Sequence, residues 1–182
     1  MSSQKSRAGG PKTVPLFMLA AMAVGGVLLS GCSEYTITAP DPLAAEDVRW
    51  ASGLGIQLAD FEEQPSGLWI RVDEEGEEDG TPAGQGDNLL VDYDGWLPDG
   101  RMFDSSRELA FGARGPLSFR LGIDPLIPGF EEGVTGMQLN EVRTLLIPPA
   151  LGYGPRSSGQ IPPNSWLAFR VELVDQQPPP GS

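Results

Sequence analysis

Histidine is absent from the 182-residue chain, and cysteine occurs once, at Cys32. Ser-His-Asp and Cys-His nucleophile schemes are therefore excluded, as is any His-based metal site. A single cysteine also excludes an internal disulfide framework. What remains is a set of aromatic side chains with one acid among them. Tyr93, Phe103, Phe119 and Phe169 fall on apolar faces of strand-like segments, and Phe130 opens a short helical pattern. Aromatics in such places are ordinary core, and periodicity alone does not lift them above that. Asp104 is different. It follows Phe103 directly within a polar turn, FDSSR, where an acid needs a reason to face a cavity. Arg107 is either its charge partner or simply solvated. A second acidic feature, DEEGEED at 73–79, has the composition of a divalent-cation site, but its place between two strands makes a solvated loop the better reading.

The elements that would position these residues read as strands. Leu68, Ile70 and Val72 alternate with Trp69 and Arg71; Leu89, Val91 and Tyr93 with Asp92 and Asp94; Leu117, Phe119 and Leu121 with Ser118 and Arg120. Leu167, Phe169, Val171 and Leu173 alternate with Ala168, Arg170 and Glu172, and EVRTLLIP at 141–148 adds a further strand. A period of two marks strands that cover a core on one face and leave the other wet. In PGFEEGVTGM the rhythm changes, with Phe130, Val134 and Met137 sharing one helical face. Pro128 suits the first turn, and Glu131 and Glu132 favour the positive end of the dipole. The expected architecture is α+β: an antiparallel sheet of about five strands wrapped around one short α-helix.

Composition adds bounds. Hydrophobic residues make up 40% and charged residues 20%, ordinary for a globular protein, while 24 Gly and 18 Pro demand many turns. The net charge of −13 repels phosphate backbones, so no nucleic-acid partner is expected. Lys5, Arg7 and Lys12 precede an apolar stretch at 13–29, the pattern of a secretory signal peptide over 1–31. Its length, roughly 17 residues, is at the short edge for a retained membrane span. Residues 32–48 then read as a flexible tether and 49–65 as a short lead-in helix or loop, docked on the domain in preference to binding a partner. The domain proper is expected at 66–175, and QQPPPGS at 176–182 as a disordered tail that cannot join a sheet.

Two resemblances sharpen this. Leu29-Ser30-Gly31-Cys32 resembles the bacterial lipobox, which implies lipidation of Cys32 and a membrane attachment through it; the bland alternative is an incidental thiol in an apolar helix. Ser33 after the cysteine resembles the default for outer-membrane sorting in Gram-negative cells, so the implied location is the cell envelope, facing away from the cytoplasm. In the domain, Tyr93, Gly95, Leu97, Gly100 and Phe103-Asp104-Ser105-Ser106 resemble the signature of FKBP-type peptidyl-prolyl isomerases. Phe119-Arg120-Leu121-Gly122, Ile127 to Gly133, Gly152-Tyr153-Gly154, Ile161 to Asn164 and Leu167 to Leu173 follow in the family's order. The resemblance spans residues 66–175.

It implies a pocket that holds a proline of a polypeptide substrate, with no cofactor and no metal. Phe130 would be its floor, Tyr93, Phe103 and Phe169 its walls, and Leu126 and Ile127 its rim, the Ile127 N–H holding a substrate carbonyl. Asp104 would be the polar wall residue, Tyr153 a hydroxyl donor, Ile161 the loop-side closure and Leu117 a pocket-side contact. Several positions depart from better-known members. Phe130 replaces a common Trp, Leu117 an aromatic and Pro125 an acid, and the loop at 155–160 is shorter and lacks a histidine. These departures imply lower activity or altered ligand affinity rather than loss, a substrate preference that the shorter loop leaves open, and weaker binding of macrolide inhibitors. A non-catalytic binding module or chaperone for proline-containing segments is the rival reading.

Overall fold

The computed structural model describes residues 41–78, 80–112 and 114–179. Seven strands form one antiparallel sheet: β1 Glu62–Glu63, β2 Trp69–Glu74, β3 Asn88–Trp96, β4 Met102–Ser105, β5 Leu117–Arg120, β6 Val142–Ile147 and β7 Leu167–Gln177. Their order is β1-β2-β6-β7-β3-β4, with β5 also pairing β3. Among the described residues the one α-helix, α1, spans Pro128–Val134. Five strands stand where alternation places them; β1 and β4 are additional. The FDSS segment, expected as a turn, is largely strand, and its register sets Asp94 against Ser105 and Gly95 against Asp104.

One core lies between the sheet's inner face and α1. Leu89, Val91, Phe169, Val171 and Leu173 face it, with Phe130, Val134 and Met137 opposite. Burying such side chains contributes about 1.5–3 kcal/mol each. Helix and sheet come close because Gly133 carries no side chain: a Cβ there would meet Leu145 Cδ1 at 2.4 Å. Leu145, Leu146 and Ile147 are all fully buried, as expected only for a strand covered on both faces.

That second cover corrects the expectation of a wet outer face. Ala45, Val48 and Phe61 are buried against Leu146, Trp166 and Ala168, with Trp50, Ile56, Leu58 and Trp69 packed around them. The segment expected as a tether and lead-in thus belongs to the fold from at least Ala45. It runs as three single 3-10 turns, Ala45–Asp47, Ser52–Leu54 and Leu58–Asp60, rather than as a helix. Gly53 and Gly55 lie where the α-helical reading was weakest, and Gly55 ends its turn in left-handed conformation (φ 61°). Trp166 ties the segment down by donating from Nε1 to the Leu43 carbonyl at 2.8 Å.

The tail is also corrected. Gln176 and Gln177 pair with Leu89 and Asn88, beyond an irregularity between Leu90 and Val91. Gln176 Nε2 donates to Asp87 Oδ2 at 2.8 Å, which gives this polar end of β7 a buried acceptor. No helix among the described residues is long and apolar enough to cross a membrane. The apolar stretch at 13–29, Cys32 and the first part of the expected tether lie outside the described residues.

Candidate active site

A cavity of about 330 Å³ opens between the sheet and the start of α1. Each wall comes from a different element. Period-two alternation turns Tyr93 of β3 and Phe169 of β7 to the inner face, and β4 contributes Phe103 and Asp104. Phe130 occupies the first turn of α1, where Pro128 sits with the φ that a helix start requires. Leu117 heads β5, Pro125, Leu126 and Ile127 lead into α1, and Tyr153 comes from the loop after β6.

The rings are locked against each other edge to face. Phe130 and Phe169 have centroids 5.4 Å apart at 77°, Phe103 and Phe169 5.3 Å at 84°, and Tyr93 and Phe130 6.0 Å at 82°. Such contacts add about 0.5–1.5 kcal/mol each beyond area burial and fix the shape of the cavity. Phe119 packs behind Phe130 at 6.2 Å and is plain core.

Polar groups are few and aimed. Tyr93 donates its hydroxyl to Asp104 Oδ2 at 2.8 Å, and the Ser105 N–H donates to Oδ1 at 2.9 Å. The Arg114 guanidinium lies 3.8 Å from Oδ1. Arg107, the partner expected from the sequence, instead binds Asp92, Asp94 and Glu172. Both arginines belong to the segment joining β4 to β5, and residue type alone does not say which one turns toward Asp104. Burial first, then the hydrogen bond to Asp104, raises the Tyr93 phenol well above its ordinary value. Burial and the Asp104 charge push Tyr153 up as well. Both hydroxyls stay protonated at neutral pH and can donate. The Ile127 carbonyl accepts from Phe130 and Glu131, while its own N–H has no protein acceptor among the described residues.

Nine of the ten expected pocket residues line this cavity, together with Pro125. The exception is Ile161. It is buried in the main core and held by hydrogen bonds with Ser158 instead of lining the cavity. A larger groove of about 600 Å³ beside β2 is polar, and its two arginines are already bonded: Arg71 to Asp73, Arg143 to Glu141 and three carbonyls. Two acids of the run at 73–79 have protein partners: Asp73 accepts from Arg71 and Thr144, and Glu74 pairs with Arg170 across the sheet. Among the described residues no cluster of His, Cys, Asp or Glu has the grouping of a metal site.

Known proteins resemble this chain in sequence and fold. A peptidyl-prolyl cis-trans isomerase from Arabidopsis thaliana, FKBP53, is 43% identical over 62% of this chain and 23% of its own length. An FK506-binding protein 2 from Kluyveromyces lactis is 38% identical over 71% of this chain and 94% of its own. The crystal structure of FkpA from Escherichia coli superposes with a TM-score of 0.59 at 37% identity, covering 71% of this chain and 56% of that one. This chain spans less than two thirds of the length of several other relatives, from 42% to 65%. The family model for FKBP-type peptidyl-prolyl cis-trans isomerases matches residues 80–174, more than half of the sequence, and the chain therefore belongs to that family.

Proposed function

We propose that this protein accelerates cis-trans rotation about Xaa-Pro bonds of polypeptides, without covalent catalysis, in the cavity walled by Tyr93, Phe103, Phe130 and Phe169. The observation that carries this reading is the apolar, ring-lined cavity with Tyr93–Asp104 as its hydrogen-bonded polar edge. Rotation faces a barrier of about 18–20 kcal/mol because the planar amide is conjugated. The twisted amide has lost conjugation and some charge separation, so a water-poor site penalises it less than the planar form. The N–H of Ile127, without a protein acceptor among the described residues, and the hydroxyl of Tyr153 would hold carbonyls of the bound chain beside the ring-lined floor. A thousandfold acceleration requires about 4 kcal/mol of such differential binding. No proton or nucleophile is needed, which suits a chain without histidine.

The place of action belongs to the same proposal. Lipidation at Cys32 after cleavage of residues 1–31 would attach the protein to a bacterial envelope membrane, its clients being envelope or secreted chains. The lipobox-like Leu29-Ser30-Gly31-Cys32 supports this. Macrolide ligands of the FK506 type, which name several relatives, would enter the same cavity.

A protease-coupled assay with a proline tetrapeptide tests the activity. Acceleration that collapses in Phe103→Ala, in a protein that still melts cooperatively, is the expected result. Peptide binding with no acceleration over the uncatalysed rate overturns it in favour of a binding module. Mass spectrometry of membrane-extracted protein tests the anchor, and an unmodified amino terminus upstream of Cys32 removes it.

A further inference from the structure

Behind the cavity wall, on the outer face of the sheet, lies a charged cluster that the proposed reaction does not use. Asp92 and Asp94 flank Tyr93 on β3, so they turn away from the cavity. Asp92 stands directly opposite Glu172 of β7 in the register. Like charges facing each other across two strands destabilise the pairing, and Asp94 lies one alternation away. A single side chain resolves the conflict. The Arg107 guanidinium reaches Asp92 and Asp94 at 3.4 Å each and Glu172 at 2.5 Å.

Two buried serines connect this cluster to the cavity. Ser105 Oγ donates to Asp94 Oδ1 at 2.5 Å and accepts the N–H groups of Arg107 and Glu108. Ser106 Oγ donates to Asp92 Oδ1 at 2.6 Å and accepts the Tyr93 N–H at 3.0 Å. These bonds hold the backbone of Tyr93, Arg107 and Glu108 and tether the side chain of Ser105, the residue after Asp104. The two side chains that meet at 2.8 Å on the inner face are thereby fixed from the outer one.

We infer that Arg107 is a positioning residue for the cavity. By gathering Asp92, Asp94 and Glu172 it sets the β3–β4 register, and through the register the Tyr93–Asp104 pair. It is not among the residues lining the cavity, so its loss moves the rate more than substrate affinity. Lysine carries the charge but lacks the planar fork that spans three carboxylates, so Arg107→Lys retains part of the effect and Arg107→Gln none. For turnover the inference rests on the isomerase reading above; for geometry it does not.

The test uses the full-length protein, with Arg107→Gln and Arg107→Lys beside the wild type. Arg107→Gln is expected to lower kcat about tenfold with KM within about twofold, short of the hundredfold that an ångström of misplacement can cost. Raising salt to 1 M, where the Debye length falls to about 3 Å, recovers part of that loss in Arg107→Gln and leaves wild type unchanged. The hydroxyl proton of Tyr93, followed by NMR, persists in wild type and Arg107→Lys and is lost to exchange in Arg107→Gln. An unchanged kcat, or a loss that salt does not relieve and that simply follows the melting temperature, overturns the inference. Should wild type show no turnover, the isomerase reading falls, and the Tyr93 hydroxyl signal alone decides: its persistence in Arg107→Gln refutes the positioning role. If Arg107→Gln fails to fold, Arg107→Lys carries the test, and full wild-type kcat without any salt response in that variant refutes it.

Discussion

The phenolic oxygen of Tyr93 lies 2.8 Å from Asp104 Oδ2, joining β3 to β4 on the cavity side through one donated proton. Asp104 keeps a second donor, the Ser105 N–H, when that bond is removed. Tyr93→Phe preserves the ring and its edge contact with Phe130. The expected cost is about 1 kcal/mol of stability and, by the same magnitude, about a fivefold fall in kcat/KM. Urea unfolding and the peptide assay on one preparation measure both. A loss beyond a hundredfold would give the hydroxyl a direct part in rotation.

Gly95 faces the same rings. A Cβ there would lie 2.7 Å from Phe103 Cζ and 2.9 Å from Phe169 Cε1. Gly95→Ala must therefore displace aromatic side chains into the cavity or bend β3, costing about 1–3 kcal/mol. Turnover should fall well beyond what the stability loss explains, because the displaced rings are those that shape the cavity. Peptide affinity measured by calorimetry should weaken in parallel.

Trp166 anchors the outer cover. Trp166→Ala leaves a hole beneath Ala45 and Val48 and removes the bond to the Leu43 carbonyl, for about 3–5 kcal/mol. Trp166→Phe keeps most of the packing and loses the one bond, for about 1 kcal/mol. Urea midpoints of the two variants should differ accordingly, with catalysis per folded molecule nearly unchanged, since this cluster is on the far side of the sheet from the cavity.

Alkaline pH tests the burial of the tyrosines. Tyr93 and Tyr153 are both raised above the ordinary 10.0. A raised value means the folded protein holds these protons more tightly than the unfolded chain does. Their contribution to stability is complete below about pH 10 and declines as pH rises through the folded values. Melting temperatures should therefore drop above pH 10, and Tyr93→Phe should blunt the drop. A slope equal to that of wild type in Tyr93→Phe would contradict it.

The inner face of the sheet was legible because one residue in two along β3 and β7 is apolar, and pleating does the rest. The pocket residues followed from motif order, since aromatics on strands look alike whether they line a cavity or fill a core. The outer cover was not legible. Trp69 and Ala168 carry no mark of what lies on them, and three 3-10 turns give no periodicity to read. Arg107 was the expected partner of Asp104 because it is near in sequence, but on an irregular segment a charge can turn to either face, and it is Arg114 that approaches Asp104. Gln176 and Gln177 were misjudged because the prolines after them suggested a break, yet a strand can carry pairing up to the residue before such a break.

The last of the described strands is also the one in the middle. β7 lies between β6 and β3, and nothing joins the two halves of the sheet until residues 167–177 are present. Synthesis proceeds from the other end, so the earlier strands emerge without their central partner and the ring-lined cavity has no Phe169. Closing the sheet awaits pairings that are distant in sequence, which makes folding slow relative to local structure. A nascent chain would therefore keep its sheet open, and its cavity one wall short, until residues 167–177 arrive.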